Sequence, residues 1–233
     1  MIEPQLRGLF ASIGIEKGNA FAPDERMREI LTQAVAVGNA TARAITFAPR
    51  DPSAYLYEGR YWTTAFIGGS YEWLKNGGNS GRFMDARTLF FYFATVNTPA
   101  MVKKIPGKGS QYAAHSRDKD GNYLNGAKTY KLTIPANAPA KDFWSVVAYD
   151  PQTRSELQTD QPFPSKNNKR DKLDINADGS VDLYFGPKAP VGKANNWVQT
   201  VPGKNWFCLL RLYGPLEPWF DQSWQPGDFE LVE

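Results

Sequence analysis

Four short runs decide the fold: KTYKLTIP (residues 128–135), FWSVVAYD (143–150), SVDLYFG (180–186) and WFCLLRLYGP (206–215). Tyr130, Leu132 and Ile134 alternate onto one face of the first, and Val181, Leu183 and Phe185 onto one face of the third. A period of two marks a strand with one buried side. Of the 17 prolines, 11 lie beyond residue 120, all outside or at the ends of these runs, where a sheet tolerates a residue without an N–H. Four or more such strands predict an antiparallel, jelly-roll-like β-sandwich over residues 116–233. No βαβ alternation is present, which excludes a Rossmann fold or a TIM barrel.

Working back towards the N-terminus, the pattern changes. Between Pro23 and Phe47, Met27, Ile30, Leu31, Ala34, Val35, Ala42 and Ile45 fall largely three and four apart, which predicts an amphipathic helix. Pro23 suits its first position and Asp24 and Glu25 its first turn, while Gly38 and Asn39 weaken its middle. A shorter helix is expected over Gln5 to Ser12. Residues 48–81 are rich in Tyr, Trp and Gly, suiting extended structure broken by turns. Arg82 to Val96 reads as a second helix, apolar around much of its circumference, that Pro99 ends. The expectation is an α+β chain in which residues 1–115 form a helical and aromatic region packed on the sandwich.

Composition narrows the chemistry. With one His (His115) and one Cys (Cys208) in 233 residues, a self-contained zinc finger, a disulfide framework and a CxxC redox motif are all excluded. No cofactor is expected: neither GxGxxG nor GxxxxGK[ST] occurs. A net charge of +3, with its densest basic run (KNNKRDK, 166–172) diluted by Asn and Asp and free of aromatics, gives no nucleic-acid footprint. The longest apolar-rich stretch, Leu89 to Val96, is too short to span a bilayer, and Glu3 and Arg7 interrupt any signal-peptide core in residues 1–18. The chain as written is expected to be soluble.

Three constellations carry chemistry worth testing. AYDPQTRSELQTDQPFP (148–164) delivers Tyr149 and Asp150 from a strand into a polar loop with Arg154, Glu156 and Asp160. Two of these carboxylates would suffice for an acid/base pair of the glycosidase kind, with Arg154 stabilising charge and His115 assisting. The alternative is a structural loop that Arg154 pins through a bidentate carboxylate bond. Asp174, Asn176, Asp178 and Asp182, with Gly179 between, match the opening of a calcium loop, but position 12 is Phe185 and the flanking sequence reads as a strand. The competing reading is a hairpin turn with Asx side chains on the backbone. His115 and Cys208 also have bland readings, as a structural imidazole and a buried thiol. Tyr149, Arg154, Trp144 and Trp197 are the candidate ligand contacts, and Trp206, Trp219 and Trp224 join the two tryptophans as candidates for a sugar-binding face or for core.

The C-terminal half, from NGAKTYKLTIP through NADGSVDLYFGPKAP and NNWVQTVPGKNWFCLLRLYGPLEPWFD to WQPGDFELV, resembles the bacterial domain-of-unknown-function family 1214. The resemblance implies a β-sandwich in an envelope, periplasmic or secreted protein, and carries over no reaction and no catalytic residue. In longer proteins a family 1254 domain commonly precedes it. Met1 falls where the connecting region would be, so a shorter natural form or a fragment is expected, with surfaces suited to a companion domain. The leading functional expectation is a module binding a small molecule, a glycan or a partner protein, with self-association into a homo-oligomer left open. The alternative is a hydrolase using the Asp150 to Asp160 loop.

Overall fold

The computed structural model describes residues 4–94 and 96–232. Among these, eight strands make two four-stranded sheets. The first runs β1 (Ser110–His115), β7 (Phe207–Pro215), β3 (Ala140–Tyr149), β4 (Ser165–Asn167); the second runs β6 (Trp197–Gln199), β5 (Val181–Gly186), β2 (Tyr130–Ile134), β8 (Phe229–Leu231). The alternation read in the sequence sets which face is buried. Tyr130, Leu132, Ile134, Leu183 and Phe185 of the second sheet meet Val146, Ala148, Leu210 and Leu212 of the first in one core. That shared core makes the two sheets a sandwich.

Register follows the same logic. Leu132 lies opposite Leu183 and Val146 opposite Leu210, so a slip of one residue would turn each apolar set outward. One pairing departs from the expected antiparallel pattern: β6 runs parallel to β5, with Tyr184 opposite Trp197. The Trp197 indole N–H donates to the Gly186 carbonyl at 2.9 Å and ties this three-residue strand in place. The edge strand β1 is invisible to the period-two test, because SQYAAH has small residues where a strand shows bulky ones. It nevertheless pairs with β7 along its whole length, Tyr112 opposite Arg211 and His115 opposite Cys208. The boundary expected after residue 115 therefore falls immediately behind a strand of the first sheet.

The chain divides into two compact units, residues 1–44 and 45–233. In the first, α1 (Pro4–Ala11) and α2 (Glu25–Phe47) are helical where the spacing predicts, the last turn of α2 falling in the second unit. Its N-terminus corrects the expectation: Asp24 is the cap, its carboxylate accepting from the Met27 N–H at 2.7 Å, and Pro23 precedes it. Gly38 and Asn39 do not interrupt the helix. Ile30 and Val35, expected on a buried stripe, are exposed.

In the second unit, α3 (Met84–Phe93) is shorter than the predicted helix and buries only one face, Ala86, Leu89 and Phe90, against Ala54, Ile67 and Trp73. Met84 and Phe91 stay exposed, so the helix is not buried all round. Phe93 and Phe47 continue this packing onto Val147, Tyr149 and Phe207, the outward face of the first sheet. Among the described residues no helix is long and apolar enough to cross a membrane.

Candidate functional site

Within the second unit, three separated segments enclose a cleft of about 270 Å³: residues 53–69, 101–112 and 219–222. Its shape begins with backbone geometry. Gly68 and Gly69 take φ of 67° and 65°, a conformation that favours glycine, and the Gly69 N–H closes on the Phe66 carbonyl at 2.9 Å. The Thr64 hydroxyl accepts from the Phe66 N–H at 3.1 Å, so this turn is fixed at both ends. Across from it, α4 (Glu217–Phe220) supplies Trp219 and Phe220, and Gln222 donates its amide to the Leu56 carbonyl at 2.8 Å.

Six aromatic residues, Tyr55, Tyr57, Phe66, Tyr112, Trp219 and Phe220, contribute to the wall. Tyr57 is buried, with the Arg60 guanidinium 5.2 Å from its ring centre. Burial pushes its hydroxyl up to about 12 against the opposing effect of Arg60, so Tyr57 presents a neutral O–H. Tyr112, on β1, keeps 42% of its surface exposed, and its hydroxyl shares a 2.7 Å hydrogen bond with Ser110. Gln111 and Ser53 add polar edges, and Lys104 is the one charged residue among the described lining. Ring faces beside hydroxyls and amides suit a hydroxyl-rich ligand. With no carboxylate in its lining, the cleft holds no acid/base pair.

The Asp150 to Asp160 loop is organised differently. Asp150 is buried, and its carboxylate accepts from Lys204 Nζ at 2.9 Å and from the Gln152 N–H at 2.7 Å. Burial raises its pKa, but these bonds outweigh it and hold the group below its ordinary value. Arg154 corrects the expectation of a bidentate carboxylate bond: it donates to the Gln152 carbonyl at 2.6 Å and lies 4.4 Å over the Tyr92 ring. Asp160 exchanges hydrogen bonds with Gln199, at 2.9 Å each way. Glu156 is exposed and bridges its backbone to Tyr149. Asp150 and Arg154 share Gln152 as a partner, Glu156 and Asp160 bond elsewhere, and none of the four lines the cleft.

The remaining candidates are likewise placed by local bonding. Trp144 sits in the sandwich core, Trp197 is tied to Gly186, and the Tyr149 hydroxyl accepts from Arg211. In the 174–182 segment, Asn176 and Ser180 close a turn by a 2.8 Å backbone bond, and Asp178 accepts from the Ser180 N–H and hydroxyl at 2.9 and 2.7 Å. Asp174 accepts from Asn195 and Asp182 from Thr133, while Asn176 and Asp178 both bond the Ser180 hydroxyl, so the four side chains do not share one centre. Cys208 is buried, and burial pushes its thiol upward, away from the nucleophilic thiolate.

His115 belongs to a buried hub that the sequence does not announce. Its ring lies 4.5 Å from Trp62, edge to face, and its Nε2 is 3.4 Å from Asp228. Asp228 also accepts from Arg60 at 2.8 Å, and the Trp62 indole donates to the Gly227 carbonyl at 2.9 Å. Arg60 thus touches both the hub and Tyr57 of the cleft. Of the cleft residues, Trp219 is among the tryptophans the sequence offers for a sugar-binding face, and Tyr55 and Tyr57 lie in the aromatic, glycine-rich stretch of residues 48–81; the others carry no sequence signal of their own.

No curated protein matches this chain. Solved structures that do include the VPA0106 protein from Vibrio parahaemolyticus, at 18% identity and a TM-score of 0.49, and a putative uncharacterized protein from Burkholderia cenocepacia, at 15% and 0.37. The alignments cover 98% and 93% of this chain but 51% and 45% of theirs, so the chain spans about half the length of either. Residues 109–217 match a family model described as "Protein of unknown function (DUF1214)". The matched span opens one residue before β1 and closes at the first residue of α4, taking in both edges of the first sheet and all of β2, β5 and β6. Over those residues the chain is consistent with a DUF1214 domain.

Proposed function

We propose that this protein is a binding module that receives a hydroxyl-rich small molecule, such as a saccharide, in the cleft between residues 53–69, 101–112 and 219–222. The observation that carries this reading is the lining itself: aromatic faces of Tyr57, Tyr112, Trp219 and Phe220 beside the polar edges of Ser53 and Gln111, with no carboxylate. Such a site recognises by stacking and hydrogen bonding and does no bond cleavage. Titration with maltose, cellobiose and N,N′-diacetylchitobiose, followed through the Trp219 indole N–H signal, tests it. At least one sugar is expected to shift that signal in a saturable way. Tyr112→Ala is expected to weaken that binding about tenfold, the usual cost of truncating an aromatic anchor, while leaving the fold intact because the ring is already part exposed. An unmoved Trp219 signal with all three sugars would overturn the reading.

A further inference from the structure

Beside the cleft lies a cation without an anion. Arg211 projects from the outward face of β7, where Tyr112 of β1 and Ser145 of β3 are its cross-strand neighbours. It is half-buried, and its guanidinium donates to the Tyr149 hydroxyl while lying 5.6 Å from the Tyr112 ring centre and 5.8 Å from that of Tyr149. Phe143 stacked on Tyr213 at 4.1 Å extends the same face. Among the described residues no carboxylate pairs with Arg211, and its Nε–H is buried without a hydrogen-bond partner. Phenol oxygens are weak compensation for a charge partly withdrawn from water, and a guanidinium so placed is completed by an oxyanion.

Tyr112 connects this group to the cleft. Arg211 is not itself in the lining, but Tyr112 is, and the guanidinium lies 5.6 Å from the centre of its ring. We propose that the ligand of the cleft carries a carboxylate and that Arg211 receives it, so that the substrate class is an acidic sugar or related hydroxy acid. This rests on the cleft being the binding site. A single guanidinium with planar N–H donors matches a single negative charge with two oxygens, which favours carboxylate over a phosphate dianion.

The test compares D-glucuronate, D-glucose and inorganic phosphate at matched ionic strength, reading the Trp219 indole signal for the cleft and the Arg211 Nε–H signal for the cation. Glucuronate is expected to move both and to bind about tenfold or more tightly than glucose, with that preference lost in Arg211→Gln. Arg211→Lys, which keeps the charge without the fork, is expected to recover only part of it. Thermal unfolding of both variants identifies a misfolded one, and the wild-type Nε–H response stands independently of either. Equal binding of glucose and glucuronate leaves the cleft reading intact and overturns the carboxylate assignment. Glucuronate that moves the Arg211 signal but not Trp219 removes the cleft and with it this inference. Phosphate that competes as well as glucuronate overturns the choice of carboxylate.

Discussion

Gly126→Ala is expected to destabilise the protein by more than about 3 kcal/mol, enough to leave much of the chain unfolded at 37 °C. The reason is backbone against backbone. A Cβ on Gly126 would lie 2.1 Å from the Val201 carbonyl oxygen and 2.9 Å from that of Lys204, and neither atom can rotate away as a side chain does. To admit one methyl group the 125–127 turn and the 201–205 loop must part. Doing so breaks the 2.8 Å bond from the Gly126 N–H to Lys204 and the 2.8 Å bond from the Thr200 hydroxyl to the Gly126 carbonyl. Lys204 is also the partner of Asp150, so the loss extends to the loop behind β3. Gly203→Ala is the control: its Cβ meets open space and only the left-handed φ of 81° is strained, a cost of about 1 kcal/mol. Urea unfolding of the two variants measures the difference. A loss of less than about 1 kcal/mol for Gly126→Ala would show that the two loops separate freely.

That contact illustrates what a sequence does and does not display. Strands β2, β3, β5 and β7 were legible because the core they share imposes a period of two on Tyr130 to Ile134 and Val181 to Phe185, and hydrophobicity is written residue by residue. The edge strand β1 was not, since it is specified mainly by its partner β7, with only Thr63 bridging Ala114 on its other side, and SQYAAH carries little of its own pattern. Nor was the parallel β6, whose three residues are held by the Trp197 bond to Gly186. The turn character of the 174–180 segment was among the readings open from sequence, because Asx side-chain bonds there reach only two or four residues along the chain.

Site residues are harder for the same reason. Arg60 and Asp228 are 168 positions apart and meet at 2.8 Å. Tyr57, Tyr112 and Trp219 share one wall although no local spacing relates them. The Asp150 to Asp160 stretch drew attention because its polar groups lie together in sequence, yet Asp150 turns to Lys204, Asp160 to Gln199 and Arg154 to Tyr92. Density of functional groups along a chain measures a loop, whereas a site requires convergence in space.

Asp228→Ala is expected to cost about 2 to 3 kcal/mol, below the largest losses for a broken buried ion pair because the Asp228 side chain keeps 26% of its exposure. It removes the acceptor of both Arg60 and His115, leaving Arg60 with Gln225 and the Pro226 carbonyl. The same hub sets a pH dependence whose sign can be derived. Burial drives the His115 pKa below 6.5, outweighing the Asp228 carboxylate that pulls it up; the Arg60 charge adds to the lowering, and a backbone bond at Arg117 opposes it. The folded state therefore binds the imidazole proton less readily than the unfolded chain does. The stability this confers is complete above pH 6.5 and is lost as the pH falls from there towards the depressed folded value. Asp228 acts lower still: burial would raise it, but His115 and Arg60 hold it below 3.8, so its contribution persists above that value and disappears only in stronger acid. Since the chain has one histidine, unfolding midpoints measured between pH 7 and pH 5 isolate its effect. Wild type is expected to weaken across that interval, and His115→Phe, which keeps a ring against Trp62 and Phe229, is expected to flatten the profile. A wild-type profile already flat from pH 7 to pH 5 would mean that the folded protein accepts the proton on His115 as readily as the unfolded chain. The edge contact with Trp62 would then be compatible with an imidazolium, and burial would not govern the ring.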